Sequence, residues 1–385
     1  MNMIDYLTWR GDLSFETAAF NDVDNLLCSY LSYCDLSGVV SDDSKSITIK
    51  EASEIYFQTH SIEKAKSELV FISMAPVVLQ KLAQSKRFAD AKLSYCIKDV
   101  NSQHDIQFYA IRIDLTKDLT YLSFCGTDDT VVGWKEDFQL CYKKANAQLK
   151  AVDYIKTASK GLEKFYVGGH SKGGNLAVYG AMYSEKKVQN RIIRVFNNDG
   201  PGLSESLYDE RLYNQIKDRC YRIVPQFSFF GQIFKQDCQQ LIIKSSQKAL
   251  MQHDATSWQV ERDKFVVEPD LDSYSIVLNQ AFNLFFQGVD NKQREMLTNE
   301  LFDAIDQAGI KTLSEISNKG LPVVIKLIKS LSTIDEQAKE LFSKLAKTVI
   351  DASGQHIIAE MEKIKIVEEA LDTIEKIRSK LKKAD

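Results

Sequence analysis

Ser171 lies in the run Gly169-His170-Ser171-Lys172-Gly173, between the apolar segment Phe165-Tyr166-Val167 and a helix-forming stretch that reaches about Met182. A serine on a sharp strand-to-helix turn takes strained backbone angles, and glycines two residues before and after it remove the side chains that would collide there. Its hydroxyl is then exposed at a helix N-terminus, where the dipole favours developing negative charge and the backbone N–H of Lys172 can meet an oxyanion. The chemistry expected of such a serine is nucleophilic attack on an acyl carbon. Two plainer readings compete with it, a glycine-rich turn with a bystander serine and a phosphate-binding loop. The second lacks its pattern, because no Gly-x-x-x-x-Gly-Lys-Ser/Thr run occurs.

A nucleophilic serine needs a base, and the chain has five histidines, His60, His104, His170, His253 and His356. In a strand-turn-helix architecture of this type the partners follow the nucleophile, acid before histidine, which leaves His253 and His356. His253 comes after the apolar run at 240–244, which reads as the last strand, whereas His356 sits in a helical tail. His253 is therefore the expected general base, its competing reading being a surface histidine in a polar loop. The expected acid is Asp199, directly after the β-branched run at 191–196, where the carboxyl end of a strand would carry it. Asn197, Asn198, Asp199 and Gly200 also suit a simple turn, and Asp237 and Asp254 stand in reserve. A second oxyanion donor is expected at Thr127, after the strand-like run 119–124 and beside Gly126, where close approach of a substrate is open.

Phe124-Cys125-Gly126-Thr127-Asp128-Asp129, Trp134-Lys135-Glu136-Asp137-Phe138, the Ser171 run, Asn198-Asp199-Gly200-Pro201-Gly202 and Gln252-His253-Asp254 with Trp258 together resemble a bacterial family of α/β hydrolases. That family is similar to the class 3 (fungal-type) lipases. Asp5 to Leu13 and Phe20 to Asp24 extend the resemblance, which covers residues 1 to about 265. It implies esterase chemistry and leaves the substrate unnamed. Related lipases carry arginine where this chain has Cys125, and place the acid after the strand equivalent to 221–224, where this chain has Ser228.

The elements needed to position these residues follow from the patterning. Strands at 106–114, 119–124, 164–168, 192–197, 220–225 and 240–244 alternate, from the Ser171 strand on, with helices at 174–185 and 204–217; earlier helices are expected at 15–35, 61–69 and 76–86. The expected fold class is α/β, an α/β-hydrolase-like, mostly parallel sheet with helices on both faces and a C-terminal all-helical extension. The domains are read as 1–265 and 266–385. Phe227, Phe229, Phe230, Ile233 and Phe234 precede the last strand and either line an acyl pocket, form a lid or pack a core loop. In the extension, apolar stripes such as Ile334, Ala338, Leu341, Leu345 and Val349, then Ile357, Met361, Ile364, Val367, Leu371 and Ile374, must be covered by neighbouring helices, the hydrolase domain, a second chain, a partner or a lipid surface.

Composition excludes several classes. A net charge of −4 over 385 residues argues against a nucleic-acid-binding surface. Seven cysteines without a Cys-x-x-Cys pair, and scattered histidines, argue against a disulfide framework or a metal centre and fit a reducing cytoplasm. No cofactor is expected. The first residues show no charged segment followed by an apolar one, so no signal peptide is expected, and no apolar run approaches the roughly 20 residues of a membrane span. Two functions compete: a serine esterase acting on an acyl ester or lipid, and a catalytically weak hydrolase-fold protein that binds a partner through its helical tail.

Overall fold

The computed structural model describes residues 1–61, 73–101, 106–127, 131–140, 144–234, 236–310, 336–341 and 343–344. The chain divides into two compact units, Met1–Asp272 and Ser273–Asp385.

The first unit opens with α1 (Met3–Arg10), α2 (Asp22–Leu31), α3 (Ile49–Tyr56) and α4 (Ala75–Gln84). The helix expected over 15–35 is thus confined to α2. Asn21 sets its start by accepting from the N–H groups of Val23 and Asp24, while Asp24 accepts from the Asn21 N–H, a reciprocal cap that stops the helix from beginning earlier. The 61–69 helix falls almost wholly on residues outside the described ones.

Eight strands form one sheet in sequence order: β1 (Ile47–Thr48), β2 (Lys92–Asn101), β3 (Ile106–Asp114), β4 (Thr120–Phe124), β5 (Phe165–His170), β6 (Ile192–Asn198), β7 (Cys220–Pro225) and β8 (Gln239–Ile243). The pairs from β1 to β4 are antiparallel, and those from β4 to β8 are parallel. α5 (Val131–Gln139) and α6 (Asn146–Ala158) lie between β4 and β5, and α7 (Lys172–Tyr183) follows β5 directly. The chain therefore has an α/β-hydrolase-like fold, with the parallel half holding the residues singled out above.

Helices cover both faces, and the strands show why. All five residues of β4 are buried, as befits a strand enclosed on both sides. Tyr121 packs with α1 to α4, whereas Leu122 and Phe124 pack with the residues of α6 and α7, following the two-residue alternation of a strand. The helix expected over 204–217 is corrected to a short one at Glu210–Tyr213. Asp209 accepts from the Leu212 N–H and so starts a new helix, which interrupts any continuous one through that point.

Within the second unit, α8 (Ser273–Gln287) and α9 (Asn291–Gln307) are joined by a turn that Asp290 caps, accepting from the Gln293 N–H. Val289, Leu297 and Leu341 form its described apolar cluster with Met296. Ala338 and Leu341 of the expected stripe are buried. The other stripe residues named above lie outside the described residues. No helix among the described residues is long and apolar enough to cross a membrane.

Candidate active site

Ser171 occupies the turn between β5 and α7 with φ 56° and ψ −132°, a conformation that L-residues adopt only under constraint. The constraint is backbone packing. A Cβ on Gly169 would fall 2.4 Å from the Gly173 carbonyl carbon, and one on Gly173 would fall 2.2 Å from the Phe124 carbonyl oxygen. Those contacts bring the end of β4 against the turn, so no larger residue fits either position.

The parallel register pairs His170 with Asn198, which sets Ser171 and Asp199 side by side just beyond the ends of β5 and β6. Asp199 also has positive φ, 50°. His253 approaches from the segment after β8. Its Nε2 lies 2.9 Å from Ser171 Oγ and its Nδ1 lies 2.6 Å from Asp199 Oδ2. All three side chains are buried. The second carboxylate oxygen of Asp199 accepts from Ser228 Oγ at 2.5 Å. Ser228, at the position where related lipases are expected to hold the acid, thus touches the carboxylate that follows the neighbouring strand. The indole N–H of the buried Trp258 donates to the Gln252 carbonyl at 2.9 Å and secures the loop that carries His253.

The reserve acids lie elsewhere. Asp237 pairs with Lys217, and Asp254 accepts from the N–H and hydroxyl of Thr256 within its own turn. His60 stacks on Tyr56, with ring centroids 4.1 Å apart. His104 and His356 lie outside the described residues.

Gly126 abuts the turn that carries Ser171, since a Cβ there would fall 2.6 Å from the His170 carbonyl oxygen. Thr127 follows directly after this contact. The space at Gly126 is filled by protein, with the Tyr33 hydroxyl 2.1 Å from where its Cβ would stand, so the expected opening toward a substrate is corrected to a packing requirement. The Thr127 hydroxyl donates to Asp137 Oδ2 at 2.5 Å, which leaves its backbone N–H as the group to consider for an oxyanion.

Lys172 contributes its side chain to structure. Its ammonium is buried and donates to Glu136 Oε2 at 2.7 Å, Gln107 Oε1 at 3.0 Å and the Gln107 carbonyl at 3.2 Å, tying the first turn of α7 to α5 and β3. Burial pulls this ammonium down, yet Glu136 and Asp137 beside it hold it above the usual lysine value. Glu136, Asp137, Gln107 and Tyr33 were given no role by reading along the chain. Glu136 and Asp137 stood within a stretch that carries the family resemblance, the one signal that pointed toward them.

Burial pushes the Asp137 carboxyl up from 3.8 to about 7, against the opposing influence of Lys172 and the Thr127 hydroxyl. The folded chain then holds a proton that the unfolded chain releases between these values. The stability from this group is full below pH 3.8 and is lost as pH rises through about 7. Asp137→Asn should flatten that decline, measured as urea-unfolding free energies at several pH values across the window. An unchanged slope in the variant would refute it.

Phe230 closes one side of the site, its ring centroid 4.6 Å from that of His253, with Phe229 edge-on to it at 5.4 Å. The arrangement as a whole has a buried hydroxyl, an imidazole hydrogen-bonded to a carboxylate, and an aromatic wall.

A family model described as Mbeg1-like matches residues 82–303. No curated protein matches the chain. Among solved structures, the crystal structure of M37 lipase is similar at 15% identity, with 56% of this chain and 71% of that chain covered and a TM-score of 0.33.

Proposed function

Because the chain belongs to the Mbeg1-like family, a lipase-like family, we propose that it is a serine hydrolase that cleaves carboxylic acyl esters. The observation that carries this reading is the continuous hydrogen-bonded chain from Ser171 Oγ through His253 to Asp199, at 2.9 and 2.6 Å. Both distances lie within the reach that proton transfer requires.

Ser171 Oγ attacks the ester carbonyl carbon while its proton passes to His253 Nε2. Asp199 holds the Nδ1–H tautomer and stabilises the imidazolium. The carbonyl oxygen becomes an oxyanion facing the backbone N–H groups of Lys172 and Thr127. Each donor of this kind contributes about 2.7–4 kcal/mol to the transition state. His253 then gives its proton to the departing alkoxide, and an alcohol leaves. Water attacks the acyl-Ser171 with His253 again as base, which releases the carboxylic acid and restores the hydroxyl.

Phe230 and Phe229 beside His253 favour an apolar acyl group, so short or medium acyl esters and lipids are the substrate class. None of the six described cysteines is in a disulfide, which supports a reducing cytoplasm as the compartment.

The test is incubation of the purified chain with a fluorophosphonate, followed by mass spectrometry of the peptides. A covalent adduct on the Ser171 peptide is expected. Its absence from the folded protein, or an adduct on another serine alone, would overturn the proposal.

A further inference from the structure

Three residues that brace the neighbours of the candidate triad come from one side of a single helix. Asn25, Ser29 and Tyr33 recur every four positions, the first two in α2 and the third just past its end, so they share a face. Each reaches a segment that ends in a triad residue. The Asn25 side-chain amide donates to Asn198 Oδ1 at 2.8 Å, and the Asn198 amide donates to Ser29 Oγ at 2.9 Å and to the Gly169 carbonyl at 3.1 Å. Asn198 immediately precedes Asp199, and Gly169 stands two residues before Ser171.

Tyr33 makes the third connection. Its hydroxyl lies 2.8 Å from His170 Nδ1, while His170 Nε2 lies 2.9 Å from the His253 carbonyl oxygen. A carbonyl can only accept, so the proton sits on His170 Nε2 and Tyr33 donates to Nδ1. Both ring nitrogens are thereby used. The His170 ring is wedged between Tyr33, His253 and Trp258, with centroids at 5.9, 4.8 and 5.8 Å. Gly126 leaves the room that the Tyr33 hydroxyl occupies.

We infer that Tyr33 and His170 are positioning residues, which hold the backbone of His253 at the height where its Nε2 meets Ser171 Oγ. This rests on the acyl-transfer reading above. His170 touches no reacting atom; it fixes the carbonyl of the residue whose ring must stay within hydrogen-bond reach of the nucleophile. Without that bond the loop after β8 can shift, and a displacement near 1 Å costs about 10²-fold in rate. The tyrosine acts one step further back, by keeping the imidazole in the rotation that points Nε2 at the carbonyl.

The variants His170→Leu, His170→Gln and Tyr33→Phe test this. His170→Leu should lower kcat on an acyl ester, and the rate of fluorophosphonate labelling, by about 10²-fold with KM held. His170→Gln keeps an N–H donor near the Nε2 position and should recover most of that loss. Tyr33→Phe should lower kcat by about tenfold, a smaller loss because the donor to His253 remains. Combined with His170→Leu it should add nothing further, since both act along one path. Should His170→Leu not fold, Tyr33→Phe removes one oxygen atom and carries the test. In parallel, the downfield proton resonance of His253 Nδ1–H should shift or broaden in His170→Leu and Tyr33→Phe. Folded variants that label at the wild-type rate, with that resonance unmoved, would overturn the inference. A wild-type protein that never labels would overturn the acyl-transfer reading instead, and the resonance would then decide the positioning role alone.

Discussion

Ser171→Ala and His253→Ala should each lower kcat on an acyl ester by about 10⁶-fold, and Asp199→Asn by about 10⁴-fold, with the fold intact. Removing Ser171 deletes the attacking atom, and removing His253 deletes the imidazole that meets it as a base, at 2.9 Å. The asparagine replacement is the more informative. Asp199 accepts from His253 Nδ1 at 2.6 Å, and an amide turned to donate there would favour the tautomer with its proton on Nε2, where it can no longer accept from Ser171. Asp237→Asn and Asp254→Asn should leave kcat unchanged, because one carboxylate pairs with Lys217 and the other caps the turn at Thr256. A collapse in Asp254→Asn, with Asp199→Asn active, would reassign the acid. Ser228 offers a gain-of-function check. Its hydroxyl lies 2.5 Å from Asp199 Oδ1, so Ser228→Asp in an Asp199→Ser background returns a carboxylate to nearly the same space and should restore part of the lost rate. Steady-state kinetics, with circular dichroism to verify folding, decides each comparison.

Arg87→Ala should destabilise the fold by about 3–5 kcal/mol, read from urea denaturation. Arg87 and Asp24 are fully buried and form a bidentate pair, Nε to Oδ1 at 2.8 Å and Nη2 to Oδ2 at 2.5 Å. The same guanidinium donates to the carbonyls of Leu13, Ala18 and Ala19, and Asp24 also accepts from the Tyr6 hydroxyl and caps α2. Truncating the arginine leaves a buried carboxylate and several carbonyls without their donor, and that unpaired charge is the source of the cost. Arg87→Met with Asp24→Leu removes both charges and should unfold less readily than Arg87→Ala. If Arg87→Ala unfolds at the wild-type urea midpoint, the pair adds nothing to stability.

Much of the framework was legible along the chain because its causes are local. Phe165 to Gly173 reads as strand, turn and helix from nearest neighbours alone: apolar β-formers, then glycines where backbone must touch backbone, then helix formers. The strands at 106–114, 192–197 and 220–225 were readable for the same reason. Helix limits were less so. Asp209 acts as a cap inside the expected 204–217 helix, and a capping side chain's choice between solvent and a nearby N–H is settled by packing. β2 and α6 went unread: β2 alternates buried and exposed residues over only part of its length, and α6 has its apolar side filled largely by Ala147, Ala151 and Ala158, a weak hydrophobic signal.

The candidate site divides along the same line. Sequence by itself determined the strained turn at Ser171 and the chain positions that a strand end would expose, and it led to the expectation of a serine, aspartate, histidine order. Only the tertiary structure decided which aspartate faces His253, that the Lys172 side chain is held by Glu136, and that Tyr33 reaches His253 through His170. Those choices depend on where proton donors and acceptors meet across 137 positions between Tyr33 and His170 and 82 between Ser171 and His253. Backbone geometry is dictated by neighbours in sequence, whereas hydrogen-bond partners are dictated by neighbours in space.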